Sequence, residues 1–203
     1  MFSDKFKLTE AVLDGRKTMT RRLVVSITTS DGAVHHVDKT VGSYHEYMGK
    51  DGKVCLAWSP YKVGDVVAIA QSYYTIKESH KDDIPIWANI VANTCDGEPG
   101  CYNKMFVKAD LMPHHIRITD IKMERLKDIS REDCMKEGIL NKNSGNHMHK
   151  RACPFYFAGG KHIWDNSYST PRQAFAALID KVIGKGTWKS NPWVFCYSFE
   201  LID

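Results

Sequence analysis

Basic and hydroxyl side chains are concentrated between Gly15 and Arg22, where the sequence is GRKTMTRR. If this stretch is extended, Thr18 and Thr20 point to the same side, because side chains in a strand alternate between its two faces. A lysine held beside a hydroxyl and partly removed from water can lose its proton and act as a base. The alternative is a helix end followed by a solvated basic strand edge, since surface lysines and arginines need no special function.

The elements that must position this stretch are predicted from capping residues and apolar spacing. Helices are predicted at residues 8–14 with Thr9 as the cap and Gly15 as the stop, from Ser130 to Gly138, and from Thr170 to Gly184. Strands are predicted at residues 23–29, 66–70, 84–92, 104–109, 116–123 and 193–202. The strands follow one another instead of alternating with helices, which disfavours a doubly wound parallel sheet. The order predicts an α+β fold, a small mixed or antiparallel β-barrel decorated by short helices.

Length and composition set the broad class of the protein. The chain has 203 residues, 43% hydrophobic and 26% charged, which fits a single domain. Two polar stretches, at about 40–60 and 141–169, are predicted to be insertions in it. No apolar run approaches the roughly 18–20 residues that span a bilayer, and the N-terminal segment lacks the apolar stretch of a signal peptide. We therefore expect a cytoplasmic protein without a membrane partner.

Cysteine and histidine residues give weak signals for disulfides or metals. The six cysteines contain no CxxC pair and are expected to be free thiols, although Cys95 and Cys101 flank a DGEPG turn that could bring them together. A zinc site needs three or four converging ligands. The candidate ligands match no standard finger spacing, so a solvated basic loop is favoured for His147, His149, Cys153 and His162. No metal and no cofactor are predicted.

Four strings in order along the chain resemble landmarks of one family. GRKTMTRR at 15–22 is similar to the GxKTxTxR signature of the ASCH family, and KVGDVVAIA at 62–70 is similar to its VGD turn leading into a barrel strand. ITDIKMERLKDISREDCMKEGI at 118–139 resembles its third landmark, and the segment 171–203 resembles the ending of phage-type members. The resemblance implies a PUA-like fold, a small barrel whose cleft takes RNA or a modified nucleoside.

The resemblance also implies an activity. One branch of the family is similar to a small amidohydrolase that removes the acetyl group from 4-acetylcytidine, and its lysine, threonine and glutamate correspond to Lys17, Thr20 and Glu137. Thr20 would attack or position a water, and Lys17 would take the proton, with its pKa depressed by the neighbouring arginines. Glu137 would orient the exocyclic nitrogen or carry a proton. The alternative for Glu137 is the last-turn acid of an exposed helix.

The sequence departs from the family pattern at one landmark. Phage-type relatives carry an Arg-Glu pair where this chain has Ala70-Gln71-Ser72, which implies altered specificity or lost activity. The residues expected to contact nucleic acid or substrate are Arg16, Arg21, Arg22, Gln71 and Trp164. Trp164 is included because bases stack on aromatic faces, with core or lid packing as its alternative.

The net charge of +4 permits contact with phosphates without demanding it.

Three candidate functions follow from the residues and motifs described above. The first is a module that binds RNA or a modified nucleoside, and the second is an amidohydrolase that uses the same cleft. The third is a non-catalytic, phage-derived interaction protein in which the cleft is vestigial.

Overall fold

The computed structural model describes residues 2–24, 27–28, 43–48, 54–94, 97–143, 154–157 and 167–202. The α-helices in these ranges are α1 (Leu8–Leu13), α2 (Tyr73–Ser79), α3 (Ile84–Asn93), α4 (Arg131–Lys136), α5 (Pro171–Val182) and α6 (Thr187–Ser190). The strands are β1 (Met19–Leu23), β2 (Ile27–Thr28), β3 (Ser43–Met48), β4 (Val54–Ser59), β5 (Val66–Ala68), β6 (His115–Arg125), β7 (Leu140–Asn143), β8 (Pro154–Phe157), β9 (Ser167–Tyr168) and β10 (Trp193–Leu201). Single 3₁₀ turns occupy Asp4–Phe6, Ala109–Leu111 and Leu126–Asp128.

A four-stranded antiparallel sheet in the order β1-β10-β6-β5 forms the centre of the fold. The pairing of β10 with β6 shifts register between Ser198 and Phe199. Such bulges bend and twist a strand. The sheet is curled into a half-barrel, and the predicted α+β class is confirmed. Two further sheets of three strands have the orders β2-β4-β3 and β7-β8-β9.

Both faces of β10 are covered by apolar clusters. Val194 and Cys196 belong to a cluster that includes Phe175 of α5. The intervening residues Phe195 and Tyr197 belong to a second cluster. Neighbouring residues of a strand point to opposite faces, so the two clusters lie on the two sides of the sheet. This explains why the terminal strand is an almost unbroken apolar run.

The helix α1 joins the two clusters at the edge of the sheet. Leu8 packs into the cluster that contains Phe175, whereas Val12 packs into the one that contains Tyr197. Thr9 is not the cap of this helix, as the sequence predicted, because the helix begins at Leu8 and Lys7 takes the N-cap position. The Thr9 hydroxyl instead accepts from Lys104 Nζ at 2.6 Å. The predicted stop at Gly15 is confirmed, with φ of +69° after the last turn.

The other two predicted helices are confirmed, together with their caps. Ser130 accepts a hydrogen bond from the backbone N–H of Asp133, and Thr170 accepts one from that of Gln173. A side-chain oxygen at this position satisfies an N–H that has no partner within the helix. The strands predicted at residues 116–123 and 193–202 correspond to β6 and β10.

The strand predicted at residues 84–92 is wrong, because this segment is the helix α3. Asp83 caps it by accepting from the backbone N–H of Ile86, and Pro85 occupies its first turn, where proline is favoured. Ile86 and Ile90 lie one helical turn apart and pack on the same cluster. The β-branched residues favoured a strand, but spacing and capping decide for a helix.

The strand predicted at residues 104–109 is also wrong. This segment forms turns, and Phe106 has φ of +66°, a left-handed conformation that interrupts a strand. The backbone N–H of Lys108 donates to the Tyr73 hydroxyl at 2.8 Å instead of to a neighbouring strand. Two other predicted strands are shorter than expected: β1 ends at Leu23 with β2 following separately, and β5 ends at Ala68.

β5 lies at the edge of the sheet, and its Val66 is 54% exposed. The described parts of the two stretches predicted as insertions contain strands. β3 and β4 pair antiparallel in the first, and β7, β8 and β9 form a sheet in the second. Within the described ranges, no helix has the length and apolar character needed to cross a membrane.

Candidate active site

Lys17 lies between the end of α1 and the start of β1, with its side chain turned inward. Lys17 as a whole is only 2% exposed. The Nζ atom donates to Met19 O at 2.7 Å, to Glu137 O at 2.9 Å and to Glu137 Oε2 at 2.6 Å. These three oxygens match the three N–H donors of a lysine ammonium group. The described geometry therefore holds Lys17 as a hydrogen-bonded ammonium.

Burial lowers the pKa of Lys17 below its ordinary value, because the charged ammonium is removed from water. The Glu137 carboxylate offsets part of this effect, while Arg22 and Arg21 add to the lowering. The sequence analysis predicted a lowered pKa but attributed it to neighbouring arginines. The main cause is burial, and Arg16 pairs with Asp14 Oδ2 at 2.9 Å at the surface.

Glu137 is held at the C-terminal end of α4. It caps the helix, and Gly138 follows with φ of +95°, a conformation that glycine adopts without strain. Glu137 is 4% exposed, so its alternative role as the last-turn acid of an exposed helix is wrong. Its Oε1 accepts from Arg21 Nη1 at 3.0 Å while Oε2 accepts from Lys17. Both carboxylate oxygens are therefore fixed by cations.

Arg21 lies at the centre of three carboxylates. Its side chain has no exposed area, and it pairs with Glu124 Oε1 at 2.6 Å and with Asp133 Oδ2 at 3.2 Å as well as with Glu137. Burial alone would lower the pKa of Arg21, but the Glu137 and Glu124 carboxylates outweigh it and raise the pKa. Arg21 is thus a buried cation of this network, and the prediction that it contacts nucleic acid or substrate stays a prediction.

Lys122 closes the network from the solvent side. It approaches Glu124 Oε2 at 3.2 Å and Asp133 Oδ2 at 3.1 Å. Burial would raise the pKa of the Glu124 and Asp133 carboxyls, but hydrogen bonds and charge from Arg21 and Lys122 lower both. The network is therefore built from alternating charges, each with at least one partner of opposite sign.

A cleft of about 310 Å³ opens beside this network. Its polar side is formed by Lys17, Thr20, Arg21, Arg22 and Glu137. Its apolar side consists of residues from the N-terminal segment and α5: Phe2, Leu8, Phe175, Leu178, Ile179, Val182 and Ile183. One polar wall and one apolar wall suit a small planar ligand that carries hydrogen-bonding groups.

The structure brings together five of the eight residues that the sequence analysis singled out: Lys17, Thr20, Arg21, Arg22 and Glu137 line the same cleft. Arg16 and Gln71 are not among its lining residues, and Gln71 lies on a separate pocket. Trp164 falls outside the described residues, as do Cys95 and the residues of the segment 147–162 that were weighed as metal ligands. The part of the chain that the structure describes contains no group of three or more side chains placed to hold a metal ion, and in it Cys134 and Cys196 are free thiols.

Sequence analysis missed Asp133 and Glu124, two of the three carboxylates that surround Arg21. Asp133 lies in the first turn of α4, where an acid is favoured by the helix dipole and so does not by itself indicate a buried ion pair. Glu124 carried no local signal, because its role depends on the pairing of β6 with β10 and of β10 with β1. Strand alternation in the sequence already indicates that Arg21 lies on the inward face of β1. A buried arginine needs anionic partners, so carboxylates could have been expected close to it.

No protein-family model, curated protein or solved structure matches this chain. The function must therefore be argued from the geometry of the cleft and from the motifs of the sequence.

Proposed function

We propose that the cleft binds a modified nucleobase, as a nucleoside or within RNA, and hydrolyses an acyl group from its exocyclic nitrogen, with 4-acetylcytidine as the model substrate. The observation that carries this proposal is the convergence of Lys17 and Thr20 with Glu137, 120 residues further along the chain, on one cleft. The same proposal assigns the chain to the ASCH family and its half-barrel to the PUA-like fold. The motif order described above supports that assignment.

The size and walls of the cleft favour a single base. Its volume of about 310 Å³ lies at the small end of ligand pockets and cannot hold a nucleic-acid duplex. The apolar side chains of α5 provide a surface for a base, since burying apolar area stabilises binding. Arg22 is exposed on β1 at the margin of this cleft and would meet a phosphate or ribose.

The charges suggest how an amide would be hydrolysed. Water adds to the acyl carbon, oriented by the Thr20 hydroxyl, and the bond between that carbon and the exocyclic nitrogen breaks. Lys17 gives a proton to the leaving nitrogen, which its lowered pKa facilitates, and recovers one from the added water. Glu137 keeps Lys17 in place and compensates its charge, while Arg21 holds the other oxygen of the Glu137 carboxylate.

Binding without hydrolysis is the second candidate function. It is favoured by the three hydrogen bonds of Lys17 Nζ, which leave no N–H of the ammonium directed at a ligand. In that case the buried charges would only shape the polar wall. The two functions share one ligand class, so the experiment must measure both binding and turnover.

The test is chromatographic detection of cytidine released from 4-acetylcytidine by the full chain. Thr20→Val removes the cleft hydroxyl with little change of shape. Thr18→Val is the matched control, because Thr18 precedes the same strand but does not line the cleft. Hydrolysis predicts release by the parent and by Thr18→Val, with a loss of about 100-fold or more in Thr20→Val.

Absence of release from folded parent protein would overturn the hydrolase assignment. NMR titration of the same sample with 4-acetylcytidine then tests the binding function. Resonance changes at Thr20 and in α5 would support a binding cleft, whereas no change would overturn the nucleobase proposal as a whole.

A further inference from the structure

A second pocket lies on the other side of α1 from the cleft. Leu8 lines the cleft, whereas Thr9, Glu10 and Leu13 of the same helix line the second pocket. Its volume is about 490 Å³, and its wall continues through Gln71 and the polar face of α2. None of the residues assigned to the amide chemistry belongs to it.

Gln71 gives this pocket an unmet hydrogen-bonding group. The residue is 5% exposed, and within the described part of the chain its Oε1 accepts no hydrogen bond. Its backbone N–H is satisfied by Met112 Sδ at 3.3 Å, so the residue is fixed in place. A buried carbonyl oxygen without a donor is unfavourable, and native proteins rarely keep one without a reason. A ligand that brings an N–H donor would satisfy it.

The charges around the pocket select a cationic donor. Three carboxylates line it, those of Asp4, Glu10 and Asp14, against the single ammonium of Lys104. Lys104 pairs with Asp4 at 2.5 Å. Among the described residues, Glu10 pairs with the exposed Lys7 and Asp14 with the partly exposed Arg16. Exposed ion pairs are weak and readily exchange partners.

A metal ion does not fit these observations. The described residues contain no cluster of ligands with metal-binding geometry, and the pocket is far larger than an ion. An alkyl ammonium group supplies three N–H donors and one positive charge, and its carbon chain occupies the remaining volume.

We propose that the second pocket binds a small organic amine, whose ammonium group donates to Gln71 Oε1 and is attracted by Asp14 and Glu10. The proposal does not depend on the chemistry of the cleft, because the two sites share no lining residue.

The experiment is an NMR titration of the full chain with putrescine, followed on backbone amides. The matched probe is 1,4-butanediol, which has the same carbon chain with hydroxyls in place of ammonium groups. The proposal predicts shifts confined to α1 and to the residues around Gln71 with putrescine, and none with the diol. Shifts elsewhere, no shifts, or equal binding of the diol would overturn it.

Variants at Gln71 test the proposed contact itself. Gln71→Met keeps the volume and removes the acceptor, and should weaken putrescine binding by about tenfold or more. Gln71→Glu replaces the amide oxygen by a carboxylate and should strengthen binding by a similar factor. Circular dichroism checks that both variants fold. If either folded variant binds putrescine like the parent, the assigned contact is wrong.

A matched pair of variants tests the contribution of charge to putrescine binding. Asp14→Asn removes a carboxylate of the pocket that pairs with Arg16, and should weaken binding about threefold. Glu200→Gln removes a carboxylate that pairs with Arg117 at 3.2 Å on the exposed surface of the sheet and does not line the pocket, so it should leave binding unchanged. Equal weakening of putrescine binding by the two variants would indicate non-specific electrostatic attraction to the protein and would overturn the proposed site.

Discussion

Two lysines on opposite sides of α1 are each held by three oxygens, but their environments differ. Lys17 donates to two carbonyls and to Glu137, whereas Lys104 donates to Phe2 O and Thr9 Oγ1 and pairs with Asp4. The Glu137 side chain is 5% exposed, and that of Asp4 is 64% exposed.

This difference shows what distinguishes the two sites. On the cleft side, each buried charge is compensated by another buried charge, so the polar groups are fixed before any ligand arrives. On the other side, the ion pairs reach solvent and a neutral acceptor remains unsatisfied. The first arrangement suits a reaction that needs fixed charges, and the second suits a ligand that completes the hydrogen bonding.

Removal of Arg21 should have the largest effect on stability. Arg21→Met leaves the buried Glu137 carboxylate and the partly buried Glu124 carboxylate without their shared cation, and should lower the free energy of unfolding by about 3–5 kcal/mol. Urea denaturation measures the change. Arg117→Met removes an arginine from an exposed pair on the same sheet and should change stability by no more than about 0.5 kcal/mol. Similar losses in both variants would contradict the importance of burial.

The two lysines themselves give a direct test of the comparison. Lys17→Met leaves three acceptors without a donor in a buried site and should cost about 3 kcal/mol. Lys104→Met should cost about 1 kcal/mol, because Asp4 remains solvated. Urea denaturation of both variants under the same conditions measures the two losses of stability. A larger loss for Lys104→Met than for Lys17→Met would contradict the comparison of the two sites.

Acid should weaken the cleft side by a smaller amount. The pKa values of Glu124 and Asp133 are lowered from 4.5 and 3.8, so the unfolded chain binds more protons than the folded one in this range. Their stabilisation is complete above these ordinary values and is lost as the pH falls through the lowered ones.

Urea denaturation at a series of pH values measures this dependence. Glu124→Gln should reduce its slope below pH 4.5, the ordinary pKa of that carboxyl. Asp110→Asn, at an exposed acid in another part of the molecule, should leave the slope unchanged. An unchanged slope in Glu124→Gln would show that the carboxyl is not stabilised by folding.

Features of the fold that depend on only a few neighbouring residues could be predicted from the sequence. Ser130 and Thr170 cap their helices as predicted, since a cap needs only a hydroxyl and the next turn. α3 was mistaken for a strand because its β-branched residues were weighted above the Asp83 cap and Pro85. The left-handed Phe106 has no local signal, since tertiary contacts hold such a conformation in place.

The candidate site also contains some features that could be predicted from the sequence and others that could not. The motif containing Lys17 and Thr20 was recognisable as a string, and its resemblance to a family extended the prediction to Glu137. The separation of Gln71 from the cleft could not be predicted, because α1 lies between the two sites and its orientation depends on packing against β10. The partners of Arg21 likewise depend on strand register, which the sequence does not state.

The three oxygens around Lys17 Nζ also have a kinetic consequence. Protons of a surface ammonium exchange rapidly with water, whereas those of Lys17 can exchange only when the contact between α4 and β1 opens, where Thr18 N donates to Lys136 O at 2.9 Å. The Lys17 ammonium should therefore give a resolved ¹H–¹⁵N signal whose exchange rate reports that opening. A nucleoside that enters the cleft would change the rate whether or not it is hydrolysed.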